Sequence, residues 1–226
     1  MTVGRLFRWL LKAAVGFVVV TVLWVALYRV VPPPFTFTML GDVMSGHSVT
    51  KDWMSLDTMD PDMPRAAIAG EDARFCTHHG FDWRGIAGAA AHNARGGHVR
   101  GGSTISQQTA KNAFLFQGGG YLRKAFEAYF TVLIETIWDK RRIMEVYLNL
   151  AETGIGTYGA NAGAQRYFGH SAAHLSPTEA ARIAAVLPLP KKREAVDPHG
   201  AIRRHGNRLA RYVGVVRRGG LDSCLR

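Results

Sequence analysis

The segment from Gly101 to Asn112 (GGSTISQQTAKN) concentrates side chains that can bind sugar and phosphate oxygens. It opens with two glycines, and glycine lets backbone N–H groups approach a ligand closely. The hydroxyl, amide and ammonium groups that follow all donate hydrogen bonds. Taken alone, the same run also fits a polar loop that leads into a helix, because Gly, Ser and Thr are common in such loops. The neighbouring segments are needed to decide between a binding segment and a loop.

Two further groups of charged residues occur on either side of this segment. Glu71 begins the run EDARFCTHHGFD, which places two adjacent carboxylates before a predicted helix. Arg123, Lys124 and Glu127 are spaced three and four residues apart, so they share one face of a helix. Taken alone, the first run is an acidic pair near a helix end, and the second is a surface ion-pair cluster worth about 0.3–0.5 kcal/mol per pair. Each group therefore has a structural interpretation beside the catalytic one.

The elements that position these groups are predicted to be helices. Pro64 fits a first helical turn, and Asp82 fits an N-cap. The run SPTE at residues 176–179 combines an N-cap serine, a proline in the first turn and a capping-box glutamate. We expect little regular structure in residues 35–62 beyond a short strand around Phe35–Leu40. Alternating and βαβ patterns are absent, so the predicted class is mainly α. The predicted helices are 64–71, 83–94, 104–115, 122–138, 140–150, 177–187 and a basic final helix from about residue 197.

The N-terminal segment predicts a membrane anchor. Residues 13–28 form an uncharged core of 16 residues within an apolar run from Leu10 to Val31. That run is long enough for a span and long for a signal peptide, and no A-x-A-like cleavage site follows it. Basic residues precede the run, which predicts a cytoplasmic N-terminus and an external domain. A single-pass anchor is therefore favoured over a cleaved signal, and Pro32–Pro34 ends its helix.

The formal charge of +11 lies at the two ends of the chain. Four basic residues and no acid occur in residues 1–31, and ten basic against three acidic residues occur in 191–226, whereas residues 32–190 hold 14 of each. Basic ends on a neutral body fit an anionic membrane surface, and they argue against nucleic acid, which binds a basic face of a folded domain. A solvated basic helix is the alternative for the tail.

The chain is accordingly predicted to have four parts. Residues 1–31 are the cytoplasmic tail and transmembrane anchor, and 32–62 are a linker and membrane-proximal region. Residues 63–190 are the catalytic domain, and 191–226 are a basic C-terminal helix or tail.

The chain has two cysteines, Cys76 and Cys224. Two cysteines in an exported protein can bridge, but their spacing gives no sign of pairing, and a domain of this size builds an adequate core without a staple. We therefore predict that both are structural or incidental. There is no CxxC motif or His/Cys cluster, so no structural metal site is predicted.

Taken together, the charged and polar segments resemble the peptidoglycan glycosyltransferases that polymerise lipid II. The patterns EDxxFxxHxG, GGSTIxQQxxKN, RKxxE and YLNxxxxGxxxxG occur in order within residues 64–190, and a capped helix ending in LPLP follows them. The small size and single anchor are similar to the monofunctional, Gram-negative members. The resemblance implies a mainly α, lysozyme-like, two-lobed domain that lies in the periplasm and is anchored in the bacterial inner membrane.

The resemblance also implies a mechanism. Glu71 is the expected general base, which deprotonates the 4-hydroxyl of the incoming sugar, and Glu127 is the second glutamate, which orients cations or substrate. One inverting displacement converts the α-linked pyrophosphate into a β-1,4 bond, so no enzyme nucleophile is required. Asp72 is expected to be structural, capping a helix or pairing with Arg74. The expected substrate contacts are Arg74, Ser103, Gln107, Lys111, Arg123 and Lys124.

Three of these contacts depend on a helix that already includes residue 103. If it does, Ser103, Gln107 and Lys111 lie on one stripe at i, i+4 and i+8. Gln108 and Asn112 lie one position round that helix and are expected to hold the fold instead.

Other residues that match the family pattern are expected to be architectural. The glycines at 154, 156 and 159 allow tight turns and close helix packing. Asn149 and Glu152 belong to the same segment. His78 is expected to have a structural role.

One departure from the family pattern concerns the donor site. Family members often have a basic residue before RKxxE that helps hold the donor pyrophosphate, whereas this chain has Gly118–Gly120. Arg123 and Lys124 are candidates to replace that cation. The last segment matches only loosely after Pro190. No cofactor is required by the sequence, and a divalent metal bound with the pyrophosphate would need no protein cage.

Two other functions stay open. A muramidase or lytic transglycosylase would also use a glutamate in a lysozyme-like cleft, but it leaves the cationic residues unexplained. A non-catalytic, membrane-anchored scaffold of the cell-wall machinery would make the glutamates incidental. The expected partners of a polymerase are lipid II, the growing polyprenyl-linked strand, the membrane and other cell-wall synthesis or division proteins.

Overall fold

The computed structural model describes residues 3–96, 101–188, 190 and 195–226. Within these residues, ten α-helices form most of the structure and three short strands form one sheet. The prediction of a mainly α class is confirmed. The glycine-rich break predicted at residues 95–102 and the segment after Pro190 fall partly outside the described residues. The helices are α1 (Val3–Val30), α2 (Phe37–Met44), α3 (Asp62–Glu71), α4 (Trp83–Ala94), α5 (Ile105–Phe114), α6 (Gly120–Ile137), α7 (Lys140–Leu150), α8 (Ala160–Phe168), α9 (Pro177–Val186) and α10 (Gly200–Gly219).

Helix α1 is the one helix among the described residues that is long and apolar enough to cross a bilayer. Its 28 residues span about 42 Å at 1.5 Å per residue, compared with a hydrocarbon core of about 30 Å. Most of its surface is exposed, and Thr21 and Val25 are the buried exceptions. The helix ends at Val30, just before Pro32–Pro34, as predicted. These properties fit the predicted single-pass anchor.

The second half of α1 packs against the domain through aromatic side chains. The Trp24 ring meets the Phe114 ring edge-on with the centroids 5.2 Å apart, and Phe114 stacks on Phe130 at 4.7 Å. The Trp138 indole N–H donates to the Val25 carbonyl at 2.8 Å. These contacts fix α1 to α5 and α6, so the helix and the domain keep one relative orientation.

Helix α2 occupies the segment around Phe35–Leu40 where a short strand is predicted. Thr36 instead caps a helix, because its hydroxyl accepts the Met39 backbone N–H at 3.2 Å. Met39 is fully buried, whereas Phe37 is 47% exposed. The predicted strand is therefore wrong, because a local N-cap and the burial of one helix face stabilise a helix in this segment.

The domain helices pack in two groups. Helices α5, α6 and α7 contact one another, and α3, α9 and α10 contact one another. Several helices begin where local signals predict. Ser176 caps α9, and the Glu179 carboxylate accepts the Ser176 N–H at 2.9 Å in the predicted capping box. Asp82 caps α4 by accepting the Gly85 N–H at 3.0 Å.

Helix α10 is the predicted basic helix, and it begins at Gly200. Its apolar side chains Leu209, Val213 and Val216 are buried, and the helix packs on α3 and α9. The predicted boundary at residue 190 therefore separates helices that pack directly together.

A small sheet holds the segment after α7. Strand β3 (Thr157–Tyr158) lies between β1 (Thr50–Lys51) and β2 (Glu152–Gly154), parallel to β1 and antiparallel to β2. Strands of two or three residues are too short for a recognisable alternation, so they are not predicted. Gly156 has a φ of +66°, and a side chain there would collide with the Ser48 carbonyl oxygen. The architectural role predicted for this glycine is confirmed.

Cys76 and Cys224 form a disulfide. Of the two predicted roles, structural or incidental, the structural one is therefore correct, whereas the pairing itself is not predicted by the sequence. Their Cα atoms lie 5.3 Å apart, although 148 positions separate them in the sequence. The bond joins the loop after α3 to the last turn of the chain (Ser223–Leu225). Spacing does not reveal such a pair, because the fold alone brings the two residues together.

Candidate active site

Glu71 is the last residue of α3, and its side chain is partly exposed. The Gln108 side-chain N–H donates to Glu71 Oε2 at 2.8 Å. Glu71 also lines a polar cavity of about 150 Å³, together with Asp82 and Ser103. A neutral amide therefore orients this carboxylate, and open space lies beside it.

The neighbouring carboxylate of Asp72 has a different environment. Asp72 is 6% exposed, and it accepts hydrogen bonds from His78 Nε2 at 2.9 Å and from the Ile105 backbone N–H at 3.0 Å. Asp72 therefore fixes its own loop to the start of α5. The expected structural role agrees with this geometry, although the partner is His78. Arg74 instead makes a forked ion pair with Asp82, at 3.0 and 2.7 Å.

Arg123, Lys124 and Glu127 lie on one face of α6, as their spacing predicts. Glu127 is 3% exposed, and Arg123 Nη1 donates to its Oε2 at 2.6 Å. Lys124 Nζ donates to the other oxygen. Lys124 Nζ also lies 3.3 Å from Ser103 Oγ, which connects α6 to the polar cavity. Both Glu127 oxygens are therefore engaged by cations, so this carboxylate is suited to orienting them.

Lys111 lies among the charges of both glutamates. Its pKa is lowered, chiefly by burial, and the nearby Arg123 and Lys124 lower it further. The negative charges of Glu127 and Glu71 oppose that shift. One lysine thus interacts electrostatically with the carboxylate beside the cavity and with the ion-pair cluster on α6. Glu71 of α3, Lys111 of α5 and the Arg123, Lys124 and Glu127 group of α6 therefore form one electrostatic cluster.

The stripe predicted along α5 is not formed. The helix begins at Ile105, so Ser103 precedes it and Thr104 is the N-cap. Gln107 is 4% exposed, and its Oε1 accepts the Thr104 N–H at 3.1 Å. The helix cap therefore occupies Gln107, and the geometry does not favour the substrate contact predicted for it. The T-x-x-Q spacing of a capping box is the signal that would have found this role.

A larger cavity, with a volume of about 400 Å³, is lined by Gln108, the residue that donates to the Glu71 carboxylate. Its size falls within the range of small-ligand sites, about 300–1,000 Å³. Gln108 and Asn112, which were expected to hold the fold, face this cavity. Its lining includes Gln108, Lys111, Asn112, Tyr147, Glu152 and Tyr158. The predicted roles of the two neighbouring glutamines are thus exchanged: Gln107 holds the fold and Gln108 lines the site.

The three glycines at the start of α6 adopt a backbone conformation that disfavours a basic residue there. Gly118, Gly119 and Gly120 have φ values of +91°, +80° and +54°. Residues with side chains rarely adopt this conformation, so a cation at these positions would strain the loop. Arg123 and Lys124 are the charges that this segment presents instead.

The cluster combines an accessible carboxylate with three cations. A carboxylate can accept a proton from a sugar hydroxyl, and cations stabilise a departing pyrophosphate. Among the described residues, no group of three or more His, Cys, Asp or Glu side chains could hold a metal ion.

Comparison with known proteins indicates the same family as the sequence motifs. Residues 38–213 match the family model described as Transglycosylase. The chain is 48% identical to a biosynthetic peptidoglycan transglycosylase of Caulobacter vibrioides, over 99% of this chain and 98% of the relative. Proteins with the same description from Xanthomonas oryzae pv. oryzae and Rhodospirillum centenum are 47% and 46% identical, over 93% and 99% of this chain and 90% and 97% of theirs. Because the family model covers most of the chain and these relatives match it nearly end to end, the chain belongs to the transglycosylase family, whose mainly α fold is lysozyme-like.

Proposed function

We propose that this protein polymerises the glycan strands of peptidoglycan from lipid II and releases undecaprenyl pyrophosphate. The observation that carries the proposal is the single cluster in which Lys111 lies among Glu71, Glu127 and the two cations of α6. An accessible base and a cationic group are the two things that transfer from a sugar pyrophosphate requires.

In the proposed reaction, a Glu71 carboxylate oxygen takes the proton of the acceptor 4-hydroxyl. The hydroxyl oxygen then attacks C1 of the donor sugar, and the bond from C1 to the pyrophosphate oxygen breaks with its electron pair. Lys111, Arg123 and Lys124 balance the charge that develops on the pyrophosphate. The displacement inverts C1 once, so an α-linked donor yields a β-linked product. Glu127 orients Arg123 and Lys124 and transfers no proton, because both cations occupy its oxygens.

We further propose that the domain is anchored in the inner membrane with its catalytic part in the periplasm. The apolar α1 and the basic residues before it support this orientation. The Cys76–Cys224 disulfide supports it independently, because disulfides persist in oxidising compartments. Lipid II and the growing polyprenyl-linked strand would reach the cavities from the outer leaflet. Other cell-wall synthesis or division proteins are its expected protein partners.

The lytic alternative uses one acidic residue on polymeric glycan, and the three cations have no role in it. We therefore favour transfer from a pyrophosphate donor. Polymerisation of labelled lipid II by the full-length protein in detergent or vesicles tests the proposal. We expect long glycan strands from the wild type and none from Glu71→Gln. Asp57→Asn, a change at a carboxylate that is 80% exposed and pairs with Arg141, is the matched control and should retain the activity.

Each alternative function predicts a different result when the same proteins are tested on lipid II and on preformed glycan. Degradation of preformed glycan that disappears in Glu71→Gln would support the lytic enzyme. A wild-type protein that is inert on lipid II and on glycan would support the scaffold, and either result would overturn the proposal.

A further inference from the structure

Tyr147 is a buried tyrosine whose hydroxyl lacks a partner. It lies in α7 and is 1% exposed. Its hydroxyl has no hydrogen-bond partner among the described residues. A buried hydroxyl without a partner costs free energy, and native proteins rarely keep one unless it has another use.

Two other buried tyrosines behave differently. The Tyr158 hydroxyl donates to Asp42 Oδ2 at 2.6 Å, and the Tyr167 hydroxyl donates to the Thr153 carbonyl at 2.7 Å. The fold thus supplies a partner for each of these two hydroxyls. Tyr147 is an exception, and this exception lies in the wall of the larger cavity.

Tyr147 lines the same cavity as Gln108, whose side-chain N–H donates to the proposed base Glu71 at 2.8 Å. Burial raises the pKa of Tyr147 well above its ordinary value, and the negative charges of Glu71 and Asp72 raise it further. The hydroxyl therefore keeps its proton at any working pH and acts as a neutral hydrogen-bond donor. The charges that act on this hydroxyl are the carboxylates of Glu71 and Asp72, whereas Lys111 lies elsewhere in the lining of the same cavity. Carboxylates repel a pyrophosphate oxygen but tolerate a neutral sugar oxygen.

We propose that Tyr147 is a substrate-positioning residue whose hydroxyl donates a hydrogen bond to an oxygen of the acceptor sugar, next to the hydroxyl that Glu71 deprotonates. The proposal rests on the proposed function. Gln108 holds the Glu71 carboxylate from one direction, and Tyr147 would hold the sugar against it. With Gln108 bonded to the base and Tyr147 bonded to the sugar, the distance over which the proton moves would be fixed.

The variant Tyr147→Phe tests this role, because it removes the hydroxyl and leaves the ring in the core. We expect the melting temperature to stay the same or rise, since no hydrogen bond within the protein is lost. We expect kcat/KM for polymerisation of lipid II to fall about tenfold, as for the loss of one substrate hydrogen bond. The pH profile of the remaining activity should keep its shape, because Tyr147 stays neutral.

Tyr167→Phe is the matched control. It removes a buried hydroxyl that has a partner, the Thr153 carbonyl. This variant should lower the melting temperature and keep the activity per folded molecule. The two variants should therefore show opposite patterns: Tyr147→Phe loses activity and keeps its stability, whereas Tyr167→Phe loses stability and keeps its activity.

A binding experiment separates this proposal from the proposed function. Lipid II binding is measured in full-length Glu71→Gln, with and without Tyr147→Phe. We expect the double variant to bind several-fold more weakly. Wild-type kinetics and binding in Tyr147→Phe would overturn the positioning role, and so would an activity loss that only follows a lower melting temperature. A shift of the acidic limb of the pH–rate profile in Tyr147→Phe would show that Tyr147 tunes Glu71, and this result would also overturn the positioning role. An inert wild type that still binds lipid II would contradict the proposed function alone.

Discussion

Two segments of the site, the base loop (residues 71–82) and the cation arm (residues 118–127), are held in very different ways. The base loop is fixed by Asp72 to the start of α5, by an ion pair to the cap of α4, and by a disulfide to the end of the chain. The cation arm begins with three exposed glycines, and Tyr121 and Leu122 on its first turn are 97% and 71% exposed. The cation arm approaches the base loop through Ser103: Lys124 Nζ lies 3.3 Å from Ser103 Oγ, and Ser103 lines the polar cavity together with Glu71 and Asp82 of the base loop.

The difference matches what each segment is proposed to do. A general base must lie within hydrogen-bond distance of one proton, and a misplacement of about 1 Å can cost a hundredfold in rate. Charge stabilisation falls off gradually with distance, and long cationic side chains adapt their reach. The fold thus restrains the base closely and leaves the cations on a less restrained helix end. The following predictions test this contrast.

The largest effect is expected from the disulfide. Cys76→Ser/Cys224→Ser opens a loop that closes over 148 positions, and the chain-entropy estimate for such a loop is about 4–5 kcal/mol. For a domain of this size, that loss lowers the melting temperature by about 8–20 °C. Thermal unfolding in detergent checks this value, and dithiothreitol should produce the same shift in the wild type but none in the variant. An unchanged melting temperature would mean that the ion pairs alone hold the base loop.

A smaller effect, on the polymerisation rate, is expected from Glu71→Asp, which keeps the charge but shortens the side chain by one methylene. The base loop cannot move to compensate, so we expect the polymerisation rate to fall about a hundredfold. The hydrogen bond from Gln108 should also lengthen or break. The rate with labelled lipid II measures the effect, and the melting temperature should stay near the wild-type value. A rate within threefold of the wild type would show that the base loop is not geometrically strict.

The residues that sequence patterns predict well are those that act locally. The SPTE capping box and the Asp82 cap depend on neighbours within three residues, and both are in place. The i, i+4 pair of Arg123 and Glu127 is equally local. The fold class follows from the same helical signals.

The features that sequence patterns miss depend on distant contacts or on one competing local bond. The Cys76–Cys224 pair and the two-residue strands require the finished fold. Gln107 and Gln108 are neighbours of the same type, and the Thr104 cap decides which of them faces the cavity. Tyr147 belongs to the YLNxxxxGxxxxG pattern, whose other named residues are predicted to be architectural. Only the burial of its hydroxyl without a hydrogen-bond partner distinguishes it.

The pH dependence of Lys111 tests the electrostatic link between the two segments. Burial, Arg123 and Lys124 lower its pKa from 10.5, so it loses its charge at a lower pH than an ordinary lysine. The rate should therefore decline on the alkaline side, by up to about tenfold per pH unit above that pKa. The folding contribution has the opposite sign: burying the charged lysine costs stability below its folded pKa, and this cost decreases as the pH rises towards the unfolded value.

Lys111→Arg provides the comparison, since a guanidinium keeps its charge throughout this range. The alkaline limb of the rate should move to higher pH in this variant. Rates measured between about pH 7 and 10 in one detergent decide the matter. An alkaline limb at the same pH in both proteins would show that another group controls it.

The smallest effect is expected on the cation arm, from Lys124→Arg. Lys124 is 45% exposed along its side chain, so a longer and bulkier cation has space there. It can still reach Glu127 and a pyrophosphate oxygen, and we expect a rate within about threefold of the wild type. Lys124→Ala removes the charge and should cost about tenfold, chiefly in kcat if the charge acts on the departing pyrophosphate. A loss of a hundredfold in Lys124→Arg would make the cation arm as strict as the base loop. The contrast would then fail, because both segments would demand the same geometric precision despite their different restraint.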